Sequence, residues 1–332
     1  MKLSNVQFMI FNLFLIIGGS SLSISNMMMQ NHPHIAFLIP ILILPIILLF
    51  SFLKPINLKL IFNNIILKSL LLFYLMISSY ILIINYLKIT NNYFYNLTPP
   101  LIILIIILLL TIYISTYGIK NIIFVGTFVG FVTFILYFLS IFNFDNYDFN
   151  LISKIDFKLN NPFNLLSYMF IYLDILILPL FVKVKSKSKN YILIYILSCL
   201  INCILILINY LYFDSNFFIS SSFPYISKFL TTTNNILFEH LDIVYLIIVT
   251  LFIVFKLSIN IEILRILLKI KKTSSKQLLV PIILLLFIYL SSFLRISIKI
   301  LNTIMFISSC LIMSFILLNK LIEKRSYEKR IT

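Results

Sequence analysis

Residues 6–28 read VQFMIFNLFLIIGGSSLSISNMM, a run without a charged side chain. A bilayer core needs about 20 such residues in a helix, so Val6–Met28 predicts a membrane span. Near its middle stands Gly18-Gly19-Ser20-Ser21, which holds two of only five glycines in 332 residues. Paired glycines remove side-chain bulk and favour departure from helical geometry, and the serines can satisfy backbone groups freed there. An unwound helix at that depth would aim the N–H groups of its second half at an anion such as a carboxylate. A close crossing of two helices at small residues is the competing explanation.

Nine more apolar runs follow: Ile35–Leu53, Ile65–Leu87, Leu97–Tyr117, Asn121–Phe142, Phe163–Val182, Tyr191–Phe213, Leu237–Leu257, Leu278–Ile296 and Ile300–Asn319. The chain is 61% hydrophobic and 11% charged, with a mean hydropathy of +1.11, whereas a soluble domain carries about 25% charged residues. A soluble enzyme, a nucleic-acid-binding module and a disordered tail are excluded on that ground. The runs are continuous rather than alternating, which argues against a β-barrel. The expectation is an all-α membrane protein of about ten transmembrane helices, one integral membrane domain over 1–332 with a tail at 320–332. The first run ends without a small-residue cleavage site, so no cleavable signal is expected.

The formal net charge is +16, and the bases fall in the gaps between runs. With the N-terminus inside, 20 of the 26 Lys and Arg lie on the cytoplasmic side, six of them in the gap 256–276. That asymmetry predicts both termini cytoplasmic and an even number of crossings. The basic collar would face anionic lipid rather than nucleic acid. Within it, Asn260–Lys276 reads equally well as an interfacial amphipathic helix or as an extension of span eight. The outer segments Asn143–Asn161 and Asp214–Ile236, rich in Asn, Ser, Phe and Tyr, are expected in the interface.

Span six carries Asp174 and Pro179 in the stretch Tyr168–Pro179, with Tyr168 and Tyr172 six and two residues before the carboxylate. Proline removes a helical N–H and frees a carbonyl. An unpaired carboxylate in a span costs about 2.5–3.5 kcal/mol, so Asp174 should face a cavity or a polar group. It could bind an ammonium, a cation or a proton; alternatively the helix is merely kinked, or a protonated Asp174 bonds a serine. Spans one and six open the two halves of a five-plus-five chain, about 1–142 and 163–319. Interrupted helices at matching places in two halves point to a midplane site between inverted repeats.

Other positions carry less. Pro40 and Pro45 predict a kink in span two, and Gly126 with Gly130 a G-x-x-x-G packing face in span five. Glu239 and Asp242 begin span eight, where acids cap a helix. Cys199, Cys203 and Cys310 lie in apolar runs without a metal-site pattern. No phosphate loop, Ser/His/Asp set or haem-type helix pair is found, so neither an enzyme nor a cofactor nor a metal is expected.

Several segments together resemble the B subunits of bacterial spore germinant receptors, the GerAB/GerKB-type spore germination family. Leu3-Ser4-Asn5-Val6-Gln7 resembles the family's "S-N-x-Q" start, and Ile17-Gly18 follows within span one. Thr98-Pro99, then Tyr117-Gly118, resemble its "T-P … Y-x-x-x-G" character, and Phe238-Glu239-His240-Leu241-Asp242 its "F-E-R-L-D" signature. His240 stands where the family usually has arginine, and an arginine expected soon after Gly118 is missing. The chain also lacks tryptophan, which the family often shows in span eight. The resemblance implies the amino acid–polyamine–organocation superfamily and a leucine-transporter-like fold with helices one and six broken. It implies residence in the spore inner membrane or bacterial cell membrane, with A- and C-type receptor subunits as partners and a small germinant, an amino acid or related molecule, as ligand. Carried over by position, Gly18, Gly19 and Ser20 would hold a ligand carboxylate. Tyr168, Tyr172 and Asp174 would line the facing part of span six, with Pro179, Glu239 and Asp242 in gating or coupling. A proton- or sodium-coupled amino-acid or amine permease is the alternative. A hydrophobic subunit of a proton-pumping complex would need buried lysines, whereas the lysines here read as gap residues.

Overall fold

The apolar runs fold as helices because a backbone in hydrocarbon must satisfy its own N–H and C=O groups. The computed structural model describes residues 3–19, 33–51, 61–62, 64–139, 147–154, 177–178, 180–181, 188–212, 241–270, 280–286 and 297–328. Among them there is no strand. The helices are α1 (Asn5–Gly19), α2 (Ile39–Leu42), α3 (Leu44–Ser51), α4 (Ile65–Ile89), α5 (Pro100–Ser115), α6 (Ile119–Leu139), α7 (Ser188–Tyr212), α8 (Leu241–Leu267) and α9 (Ile298–Glu328). A 3-10 helix, Pro33–Leu38, precedes α2, and a π-turn, Thr90–Phe94, continues α4. Among the described residues, Ile65–Phe94, Ile192–Tyr212, Ile243–Leu267 and Lys299–Asn319 are each long and apolar enough to cross a membrane. The pair Pro100–Ser115 and Ile119–Ile135, bent by 116°, makes a fifth element if counted as one broken span. The ten expected crossings are thus represented by four to five here.

Local chemistry sets the helix ends. Ser4 and Gln7 form a reciprocal capping box on α1: the Gln7 N–H donates to Ser4 Oγ at 3.2 Å and the Ser4 N–H to Gln7 Oε1 at 3.0 Å. Asn64 Oδ1 accepts from the N–H groups of Ile66 and Leu67 and starts α4. Pro100 occupies the first turn of α5, where its missing N–H costs nothing. Gly118, at φ 83°, turns the chain from α5 into α6 through a backbone shape that a side chain would strain. Span two is broken between α2 and α3, because Pro45 offers no N–H to Ile41; the kink expected from Pro40 and Pro45 is observed.

Of the two forms that the sequence allowed for Asn260–Lys276, the structure shows the extension of span eight. It runs ten residues past Leu257, and Asn260–Leu267 belong to α8. Ile261, Ile263, Leu264 and Leu267 are buried in protein rather than spread on an interface. The helix stops in a Schellman motif with Lys269 at φ 57°: the Lys269 N–H donates to Ile266 O and the Ile270 N–H to Arg265 O, both 3.1 Å. Every residue from Phe252 to Leu264 is buried, and a helix buried all round is a core helix. It packs against α1, α4, α5 and α6.

Close approach is achieved at glycine. A Cβ on Gly126 would lie 2.6 Å from the Phe11 ring, and one on Gly130 would lie 2.9 Å from Phe14 Cβ. The G-x-x-x-G face is therefore a seat for two phenylalanines of α1, as packing predicted. Phe14 in turn meets Phe252 and Phe255 of α8 edge-on, with centroids 5.8 and 6.2 Å apart.

The contacts also fix relative directions. Phe11 faces Gly126 and Phe14 faces Gly130, so α1 and α6 run parallel. Tyr86 bonds Thr250 and Ser79 bonds Asn260, so α4 and α8 run antiparallel. Beyond α6, Tyr147 stacks edge-on against Tyr212 at the end of α7, and the Asp148 N–H donates to Leu211 O at 2.9 Å. Burial pushes the Tyr147 phenol up to about 12.

Gly126→Val and Gly130→Val should each lower stability by about 1–3 kcal/mol through overpacking against Phe11 and Phe14. Unfolding in detergent measures this, and unchanged midpoints would refute the packing.

Candidate functional site

The sequence-derived site residues divide by placement. Gly18 and Gly19 are the last two residues of α1, and Gly18 is buried. A Cβ on Gly18 would lie 2.2 Å from the Phe252 ring, so at this residue the small-residue crossing is realised. Asp242 is the second residue of α8. Ser20, Tyr168, Tyr172, Asp174, Pro179 and Glu239 lie outside the described residues.

Around the Gly18 contact the structure assembles polar groups that the sequence reading missed, most of them on α8. Lys256 had been assigned to the cytoplasmic gap, but it lies inside α8 and is 6% exposed. With a rise of 1.5 Å per residue, it sits about 22 Å from the start of the helix and about 17 Å from its end. It stands one turn from Phe252 and one turn from Asn260, on adjoining positions of one face. The available signal was negative: no Gly or Pro separates Leu257 from Ile270, so nothing told the helix to stop before the lysine.

Hydrogen bonds hold α8 in register with its neighbours. Ser258 Oγ donates to Val254 O at 2.6 Å and also approaches Thr111 O of α5 at 3.2 Å. Asn260 Nδ2 donates to Ser79 Oγ of α4 at 3.1 Å, and Ser79 Oγ donates to Leu75 O at 2.8 Å. Such cross-helix bonds contribute about 0.6–2 kcal/mol each in a membrane. Asn12 of α1 is fully buried, and among the described residues neither its Oδ1 nor its Nδ2 has a hydrogen-bond partner. A buried amide left so costs about 1–3 kcal/mol, and its atoms are open to a polar occupant.

Near the end of α8, Glu262 is 3% exposed and receives both a 2.6 Å bond from Arg265 Nε and a 2.5 Å bond from Nη2. Arg265 Nη1 donates to Ile270 O at 2.8 Å, tying the ion pair to the helix stop. The fork geometry suits a carboxylate and makes this pair a structural clamp.

A cavity of about 540 Å³ lies on another side of α8, between α4 and α5. Its polar lining is Tyr86, Tyr95, Thr98 and Thr250. Thr250 and Phe252 are two residues apart on a helix, hence on nearly opposite faces. Cavity and Gly18 contact are therefore separate places. Cys199 and Cys203 are buried in α7 as free thiols.

Removing Arg265 alone would leave a buried carboxylate without its clamp. Arg265→Gln should destabilise by about 3–5 kcal/mol, and adding Glu262→Gln should restore most of the loss. Detergent unfolding of the single and double variants checks the cycle; equal loss in both would refute the clamp.

A scan of protein-family profiles gives no match to the chain, and a search of curated proteins gives none either.

Proposed function

We propose that the chain is the B-type subunit of a nutrient germinant receptor, built as a five-plus-five inverted repeat and binding a small germinant at mid-membrane. The observation that carries this reading is Lys256, a buried positive charge one turn along α8 from the contact between Phe252 and Gly18. A charge at such depth is costly and marks a functional site by default. The carboxylate of an amino acid would meet Lys256 beside Gly18, Gly19 and Ser20, with Lys256 supplying the positive charge that the carbonyl end of α1 does not. Asp174 on span six, with Tyr168 and Tyr172, would receive the ammonium end.

The helix contacts support the repeat. Exchanging the halves turns span three into eight, two into seven and five into ten. Spans three and eight are α4 and α8, which touch and run antiparallel, as counterparts in an inverted repeat must. Span two (Pro33–Leu38, α2 and α3) packs on span seven, α7. The contact of α4 with α9 has its counterpart in the contact of α8 with α6. Mechanistically, a ligand bound between the halves favours one arrangement by its differential affinity and passes that bias to the A- and C-type partners.

The buried Lys256 favours a second reading: a proton- or sodium-coupled amino-acid or amine permease. Uptake of labelled substrate into proteoliposomes by this chain alone separates the two. For the receptor, Gly18→Leu should abolish germination while the protein stays in the membrane. Lys256→Gln should raise the germinant concentration needed by about tenfold or more, as expected for losing a charge-assisted bond. Normal sensitivity in both variants would overturn the site.

A further inference from the structure

The cavity between α4, α5 and α8 is a second place for a ligand, and its chemistry differs from that of the Lys256 region. Its volume of about 540 Å³ falls within the range of about 300–1,000 Å³ of small-molecule sites. Among the described residues no charged side chain lines it, so a carboxylate or ammonium entering it would lose its hydration without compensation. The occupant has to be neutral.

The hydrogen bonds say more. Thr250 Oγ1 spends its proton on Leu246 O at 2.7 Å. The 2.9 Å contact between Thr250 Oγ1 and Tyr86 is therefore made with the tyrosine proton. Tyr86 Oη keeps only acceptor capacity, so a ligand group that reaches it must be a donor. Tyr86 lies near the end of α4, with Tyr95 and Thr98 in the turn that follows, while Ile103 and Ile107 of α5 line the cavity further along and are buried. One end is polar: Tyr95 and Thr98 stand between α4 and α5, at the level where tyrosines meet headgroups, with Tyr86 and Thr250 about two turns further in. The other is hydrocarbon. Ile102, Ile106, Leu110 and Ile247 also line the cavity and are about half exposed. They stand on apolar helices at membrane depth, so the opening faces lipid.

We propose that this cavity takes one chain of a neutral, hydroxyl-headed lipid, entering sideways from the bilayer with its hydroxyl donating to Tyr86 Oη. The proposal does not rest on the receptor reading, because it uses none of that site's residues. The probe is a monoacylglycerol with a diazirine in its acyl chain, compared with the fatty acid of equal length, on the full chain in nanodiscs, with mass-spectrometric mapping. The monoacylglycerol should label 102–110 and 246–251 several-fold more than the fatty acid does, and more densely than the lipid-facing surface of α6 at Phe124 and Phe128. Tyr86→Phe, which keeps the ring, should reduce that labelling about three- to tenfold, and Ile107→Trp, which fills the cavity, should bring it down to the level of α6. Equal labelling by the fatty acid, labelling no denser than on α6, or an unaffected Tyr86→Phe variant would each overturn the proposal.

Discussion

Three phenylalanines resting on three glycines hold the centre of this molecule together. Phe252 lies over Gly18, Phe11 over Gly126 and Phe14 over Gly130, each closer than a Cβ would permit. Helices in lipid gain nothing from burying one apolar face against another, because the tails are equally apolar; close packing has to supply the association. Glycine removes the one atom that would keep backbone and ring apart, and the rings carry most of the buried area. Through these seats α1 touches both α6 and α8, and α8 can be enclosed on all sides. The remaining features of the centre follow from that enclosure.

An enclosed helix makes its polar residues consequential. On an exposed α8, Ser258 and Asn260 would bond water or headgroups; buried, they bond α5 and α4 and set the register. Glu262 is tolerated because Arg265 meets it with two donors and is itself anchored at the helix stop. Lys256 lies eleven residues before α8 ends at Leu267 and shares a stripe with Asn260 and with Phe252, which meets Gly18 near the end of α1. A lysine at the surface of the same helix would be a topology marker and nothing else.

The segments that resemble the spore germination family have a structural meaning here. Ser4 and Gln7 are a capping box, Thr98-Pro99 precedes the proline that opens α5, and Gly118 supplies the positive φ that closes it. These residues punctuate helices. Their order along the chain therefore speaks for the arrangement of spans more than for ligand chemistry, which resides in side chains such as Lys256 that no short motif marked.

Composition and run length were enough to read the helical class, the interruption of span two near Pro40 and Pro45, and the packing role of Gly126 and Gly130. Each follows from local physics: backbone groups need partners in hydrocarbon, proline lacks a donor, and glycine lacks bulk. The end of span eight stayed open between two forms because lysine in an apolar run looks the same whether it marks a boundary or a buried charge. Only packing against α1, α4, α5 and α6 decided that Lys256 is inside, that Gly18 meets Phe252, and that Tyr86 and Thr250 share a cavity. Those facts join residues more than 120 positions apart, and no periodicity within one helix encodes which partner its face will meet.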